Sequence, residues 1–247
     1  LNTTTGTSYP ILWLRSLAFW VVFAISIILF ATLLLFTFPL PIASRWAFLQ
    51  HWVKFILWWL NVTCHLTYQV QGVEYISDGP AIVFSKHQST WETIALQNIF
   101  PLQVWVAKRE LMWLPFFGWG LALMKCIAIK RGTGRAAIRQ LITQGKARLD
   151  EGIWIVIFPE GTRIPPGEKG QYRIGGAILA EKTGYPIIPV AHNAGEYWPR
   201  RSFIKHPGVI QVRIGAPIST DGKSAQQILH ESSGWIEERM AEITTLR

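Results

Sequence analysis

From Ser16 to Phe38 the chain carries no charged residue, and its only polar side chains there are serine and threonine. As a helix these 23 residues reach about 34 Å, enough for a hydrocarbon core of roughly 30 Å. A secretory signal is disfavoured, because its apolar region is shorter and no small-x-small cleavage site appears before Pro39. After Pro39 and Pro41 a second segment runs from Ala43 to Leu60 with Trp46, Trp52, Trp58 and Trp59. Its Gln50, His51 and Lys54 fall within about 100° on a helical wheel and leave a broad apolar face. The two segments read as a membrane-embedded helical hairpin over residues 1–62, the second helix lying at the interface or closing the hairpin. A helix pair buried in a protein core is the alternative.

Charge divides the chain at about the same place. The 247 residues carry 24 Lys and Arg against 15 Asp and Glu, a formal charge of +9, yet half of them are hydrophobic and only 16% are charged. That content excludes a disordered chain. Two cysteines, Cys64 and Cys126, exclude a disulfide scaffold and any all-cysteine metal site. Residues 1–80 are nearly neutral, whereas nine Lys and Arg crowd into 108–148 beside one acid, Glu110. A basic, hydrophobic, Trp-rich chain points to a membrane surface or phosphate ligands before nucleic acid. No nucleic-acid-binding motif appears.

Residues 63–247 alternate strand and helix, which predicts an α/β domain with a mixed sheet flanked by helices. Strands are expected at 66–72, 81–85, 104–107, 126–130, 153–158, 187–191 and 209–214, the runs at 81–85 and 153–158 apolar enough for a sheet interior. Helices are expected at 90–99, near 121–125, and at 134–149, 177–183 and 224–243.

Three strand ends carry chemistry. The first runs into Lys86-His87-Gln88-Ser89-Thr90-Trp91-Glu92. His87 and Glu92 cannot meet inside one helix, where five residues turn them about 140° apart. With His87 in the loop and Glu92 in the first turn they pair, and the carboxylate fixes the imidazole while its other nitrogen takes a proton. Ser89-x-x-Glu92 also fits a capping box with Ser89 at N-cap, which needs no catalysis. The second is Phe158-Pro159-Glu160-Gly161-Thr162-Arg163, an anion site on Arg163 or an ordinary strand-end turn. The third is Lys130-Arg131-Gly132-Thr133-Gly134-Arg135; it lacks the P-loop pattern, but its basic residues stand near a helix N-terminus. No Gly-x-Ser-x-Gly elbow of a serine hydrolase occurs.

These stretches together resemble the glycerolipid acyltransferases of the bacterial 1-acyl-sn-glycerol-3-phosphate acyltransferase type. The family's Asn-His-x4-Asp motif corresponds to Lys86-His87 through Glu92; its second to Lys108-Arg109-Glu110-Leu111 with Pro115, Gly118, Gly120 and Arg131. Its Phe-Pro-Glu-Gly-Thr-Arg motif is complete at 158–163, and its hydrophobic-Pro-Val strand matches Ile188-Pro189-Val190. The departures are Glu92 for the usual Asp and Lys86 for the common Asn.

The resemblance implies acyl transfer from acyl-CoA or acyl-ACP to the 2-hydroxyl of lysophosphatidic acid, with His87 as general base and Glu92 orienting it. It implies that Arg163, Arg131 and Lys108 hold the substrate phosphate in a site shaped by Glu160, Gly161 and Thr162, with no metal and no cofactor. It also implies the bacterial inner membrane, with the catalytic domain facing the cytoplasm. A sister enzyme acting on glycerol-3-phosphate, a lysophospholipid or a lyso-ornithine lipid shares the same chemistry, and a non-catalytic lipid- or phosphate-binding protein is the remaining reading.

Overall fold

The structure is a computed structural model that describes residues 8–76, 78–130, 132 and 134–245. It opens with two long helices, α1 (Tyr9–Leu35) and α2 (Ile42–Cys64). One stripe of α1, Leu12, Ser16, Phe19, Phe23, Ser26 and Leu34, is buried at helical spacing, while Val21, Ile25, Ile28 and Leu29 stand about half exposed on the opposite side. The inner stripe of α2 is Val53, Ile56, Leu60 and Cys64. That helix runs four residues past the expected end, because Thr63 bonds back to the Trp59 carbonyl and only at His65 does the backbone turn left-handed (φ 51°).

Seven strands follow: β1 (Leu66–Gln71), β2 (Ile82–Ser85), β3 (Gln103–Lys108), β4 (Ile127–Ile129), β5 (Trp154–Ile157), β6 (Ile187–His192) and β7 (Gly208–Ile214). They form one sheet in the order β1-β7-β6-β2-β5-β3-β4, parallel throughout except for the β6–β7 pair. The mixed sheet read from the alternation of strands and helices is therefore present. The remaining helices are α3 (Trp91–Ile99), α4 (Phe117–Leu123), α5 (Arg135–Asp150), α6 (Gly175–Thr183), α7 (Ala194–Tyr197) and α8 (Ala225–Ile243), with 3₁₀ turns at 73–75 and 109–113. The four-residue α7 lies in a stretch where no helix is expected, being too short to show a periodicity.

Alternate strand residues divide the core into two layers. Val83, Trp154, Val156, Ile188 and Val190 face α1, α2 and α3. Ile82, Phe84, Ile155, Ile157 and Ile187 face α5, α6 and α8. The hairpin helices thus share a core with the sheet: Phe19 and Phe23 lie in the same layer as Trp154 and pack edge-on against Trp198. Gly176 lets α6 reach the sheet, since a Cβ there would lie 2.6 Å from the Phe84 ring.

A buried lysine joins α1 to the far end of the domain. Lys205 Nζ sits 3.6 Å from the centroid of Trp20 and 4.8 Å from that of Trp198, and donates to the Phe203 carbonyl at 2.8 Å. The aromatic faces and the carbonyl offset part of the cost of enclosing an ammonium, and burial still brings the Lys205 pKa down to about 7.

Candidate active site

Strands β2 and β5 are adjacent, parallel and central. Their C-terminal ends deliver residues 86–92 and 158–164 to one place, the edge where open α/β sheets bind ligands. His87 lies in the loop after β2. Its Nδ1 is 2.8 Å from Glu92 Oε1, on the first turn of α3. A carboxylate only accepts, so this contact assigns the ring proton to Nδ1 and leaves Nε2 with its lone pair.

The capping role and the imidazole contact are met by one carboxylate. Glu92 Oε1 also accepts from the Gln88 amide at 2.9 Å and the Ser89 amide at 2.8 Å. Only the carboxylate half of the expected capping box forms. The helix begins one residue later, with Thr90 at N-cap, and the Ser89 hydroxyl accepts from the Trp91 amide at 3.2 Å. Burial alone would raise the Glu92 carboxyl; the neighbouring His192 and His87 imidazoles and the Ser89 amide outweigh it and bring it below the usual carboxylate range. Glutamate in place of the family's aspartate therefore still reaches the ring.

The 158–163 motif mounts the histidine from the other side. The Phe158 ring stacks on the His87 ring at 4.1 Å and 16°. Glu160 Oε2 accepts from the His87 amide at 2.9 Å, and the His87 carbonyl accepts from the Ile164 amide at 2.8 Å. The other Glu160 oxygen is 2.7 Å from Lys86 Nζ, both side chains fully enclosed. Lys86 also reaches Glu237 of α8 at 2.9 Å, and Tyr172 donates to that same Glu237 oxygen at 2.7 Å. Burial pushes the Glu160 carboxyl up, and Lys86 pulls it part of the way back. Lysine, where the motif it resembles has asparagine, is therefore the counter-charge of the enclosed Glu160 and the half-buried Glu237 behind the loop after β2.

Sequence reasoning missed His192, which ends β6 two residues past the Ile188-Pro189-Val190 motif. Its ring is wholly buried and bonds the Lys86 carbonyl through Nε2 at 2.8 Å, while Nδ1 accepts from the Ala194 amide at 3.3 Å. Burial holds its pKa below the usual histidine value. A histidine in a run of strand hydrophobics was the available signal.

Arg163 follows the motif's exposed Thr162 and the tight turn at Gly161, whose φ is 67°. Its guanidinium is half-buried and its Nε has no hydrogen-bond partner among the described residues. Burial lowers its pKa, the Glu92 charge raises it, and the Arg200 charge lowers it again. Lys108 ends β3, half exposed, with Nζ 3.8 Å from Glu110. Arg131 lies outside the described residues.

His87, Arg163 and Lys108 line one cavity of about 410 Å³. Its remaining walls are almost wholly apolar: Phe23, Ile27, Phe30, Ala31 and Leu34 of α1, Trp46, Leu49 and Trp52 of α2, and Phe117, Gly120 and Leu121 of α4. An imidazole with a free nitrogen, a poorly neutralised guanidinium and a greasy chamber thus meet at one point. The arrangement can deprotonate a hydroxyl, hold an anion and shelter an alkyl chain. Among the described residues no group of three or more His, Cys, Asp or Glu side chains could hold a metal ion.

Comparison with known proteins points the same way. The family model described as acyltransferase matches residues 67–193. The chain is 42% identical over 239 residues to a 1-acyl-sn-glycerol-3-phosphate acyltransferase of Pseudomonas aeruginosa, covering 95% of this chain and 93% of that protein. It is 30% identical over 152 residues to the mouse 1-acyl-sn-glycerol-3-phosphate acyltransferase alpha, covering 60% of this chain and 53% of that one. The crystal structure of the 1-acyl-sn-glycerophosphate acyltransferase of Thermotoga maritima superposes with a TM-score of 0.77 at 23% identity, covering 95% and 96% of the two chains, and so shares the fold.

Proposed function

The chain belongs to the acyltransferase family, and on that premise we propose that it acylates the 2-hydroxyl of 1-acyl-glycerol-3-phosphate from an acyl thioester, giving phosphatidic acid. The observation that carries this reading is the His87 Nδ1–Glu92 contact of 2.8 Å on a ring that lines the apolar cavity.

In the reaction His87 Nε2 removes the acceptor's hydroxyl proton as the oxygen attacks the thioester carbon. Glu92 stabilises the imidazolium that forms. The tetrahedral intermediate collapses with cleavage of the C–S bond, and the imidazolium protonates the departing thiolate of CoA or acyl carrier protein. General-base help of this kind supplies about 10² to 10⁴ in rate, the rest coming from positioning and charge stabilisation. Arg163 holds the acceptor phosphate beside His87. The acyl chain lies in the chamber between α1, α2 and α4, each buried methylene contributing about 0.8 kcal/mol.

The membrane supplies and receives the lipids. The 27-residue α1 is long and apolar enough to cross a bilayer. Its inner stripe, however, lies against the catalytic domain from Phe19 and Phe23, which meet Trp198, to Leu34, near Gly120 of α4. A helix packed along its length on a polar domain is served better by lying within one leaflet, its exposed face in lipid, than by crossing. Residues 1–62 then anchor the acyltransferase domain of residues 63–247 on the cytoplasmic face of the bacterial inner membrane.

The test is lipid mass spectrometry of products formed from acyl-CoA with a panel of acceptors. Phosphatidic acid formed from 1-acyl-glycerol-3-phosphate in preference to products of glycerol-3-phosphate or a lysophospholipid supports the reading. Preference for another acceptor refutes it.

A further inference from the structure

Arg163 is one monocation, whereas a phosphate monoester carries up to two negative charges at neutral pH. The structure sets a second guanidinium against the backbone of this residue. Arg200 follows α7 in an exposed turn, and its Nη1 donates to the Arg163 carbonyl at 3.2 Å. Among the described residues no carboxylate lies within ion-pair distance of either arginine. Glu92 is the acid that acts electrostatically on Arg163, but its oxygens are engaged by the His87 ring and the amides of Gln88 and Ser89. The Arg200 charge acts unfavourably on the Arg163 guanidinium, a repulsion that an anion joining the two relieves.

The turn holding Arg200 is built, not incidental. The next residue, Arg201, has φ 62°, a left-handed conformation that costs a non-glycine residue free energy and clusters at functional sites. Upstream, the Gly195 amide donates to Gln88 Oε1 at 3.2 Å, which ties α7 to the residue after His87. Downstream, the Ser202 amide closes onto Pro199 at 3.0 Å, and Lys205 is locked in its aromatic cage on α1. The loop is thus fastened to the catalytic loop at one end and to α1 at the other, with Arg200 between them beside Arg163.

We infer that Arg200 is a substrate-binding residue that clamps the acceptor's phosphate monoester jointly with Arg163, the two forks gripping different oxygens of one headgroup. This rests on the acyltransferase reading above and adds a residue outside the four motif stretches. Because Arg200 is exposed, its replacement spares the fold.

The test is steady-state thiol release by the full chain in detergent, with acyl-CoA and 1-acyl-glycerol-3-phosphate varied independently. Loss of one charge-assisted contact raises KM for the acceptor about 10- to 100-fold in Arg200→Ala. KM for acyl-CoA stays within about twofold, Arg200→Lys recovers part of the loss, and inorganic phosphate inhibits the Ala variant more weakly than wild type. An unchanged acceptor KM, or a rise in the acyl-CoA KM instead, overturns the assignment. Failure of the underlying reading is distinct: wild type then shows no acceptor-dependent thiol release at all.

Discussion

Glu92→Gln isolates the charge behind the imidazole. The Glu92 side chain is fully enclosed and lies behind the ring, so the substitution preserves volume and leaves the cavity wall untouched. The glutamine carbonyl can take the place of Oε1 and keep the contacts to His87 Nδ1, Gln88 and Ser89. Its amide must then replace Oε2, which accepts from the Ser89 amide at 3.1 Å, and a donor there faces a donor. More important, the bond to His87 becomes neutral just as the ring gains a positive charge. Charge-assisted bonds are worth about 1.5–3 kcal/mol, so kcat falls roughly 10- to 100-fold. Acceptor KM changes less than kcat, because the lost charge acts chiefly on the imidazolium that forms in the transition state. Glu92→Asp keeps the charge but withdraws it by about one C–C bond, ~1.5 Å, and loses less. Thiol release over a range of acceptor concentrations measures all three. An unchanged kcat in Glu92→Gln, or a loss confined to KM, refutes the general-base account of the pair. The same variant has an acid signature. A carboxyl held below its ordinary range contributes stability that is complete above about pH 4.5 and is lost as pH falls through the lowered value. The melting-temperature gap between wild type and Glu92→Gln therefore narrows in acid.

Lys86→Met removes the cation between Glu160 and Glu237, leaving the enclosed Glu160 carboxylate uncompensated beside a half-buried one, and destabilises the protein by about 3–5 kcal/mol; a loss under ~1 kcal/mol in denaturant titration contradicts the ion-pair assignment. Ala31→Trp projects an indole into the acyl chamber, and excluding two methylenes costs long-chain donors about 1.6 kcal/mol, roughly fifteenfold in kcat/KM relative to short ones. Equal loss across chain lengths argues against the chamber as the acyl site. Val21→Asp with Ile25→Asp places charge on the exposed face of α1 and lowers vesicle co-sedimentation at least about tenfold, with the melting temperature unchanged; undiminished binding places the membrane contact elsewhere.

Periodicity and composition carried the sheet and its flanking helices, because buried parallel strands are short apolar runs and amphipathic helices repeat at 3.6 residues. They could not indicate how tightly α1 binds the domain. Both of its faces are largely apolar, and among what distinguishes the inner one are Trp198, Phe203 and Lys205, nearly two hundred residues away. At the site, His87 and Glu92 were legible because their five-residue spacing allows only one arrangement that pairs them. Glu160 was read as shaping a phosphate site. The partner of one of its oxygens, Lys86, adjoins His87 in sequence, a contact that spacing alone does not encode. Arg200 was invisible for a different reason. It belongs to an irregular turn whose meaning comes entirely from its contact with Arg163.

The central claim is that His87 takes the acceptor's proton. Thiol release from acyl-CoA by His87→Ala, in the presence of 1-acyl-glycerol-3-phosphate, measures this directly. The expected rate is lower by about 10² or more, with melting temperature and vesicle binding retained. A folded, membrane-bound His87→Ala protein that releases thiol at the wild-type rate contradicts the account.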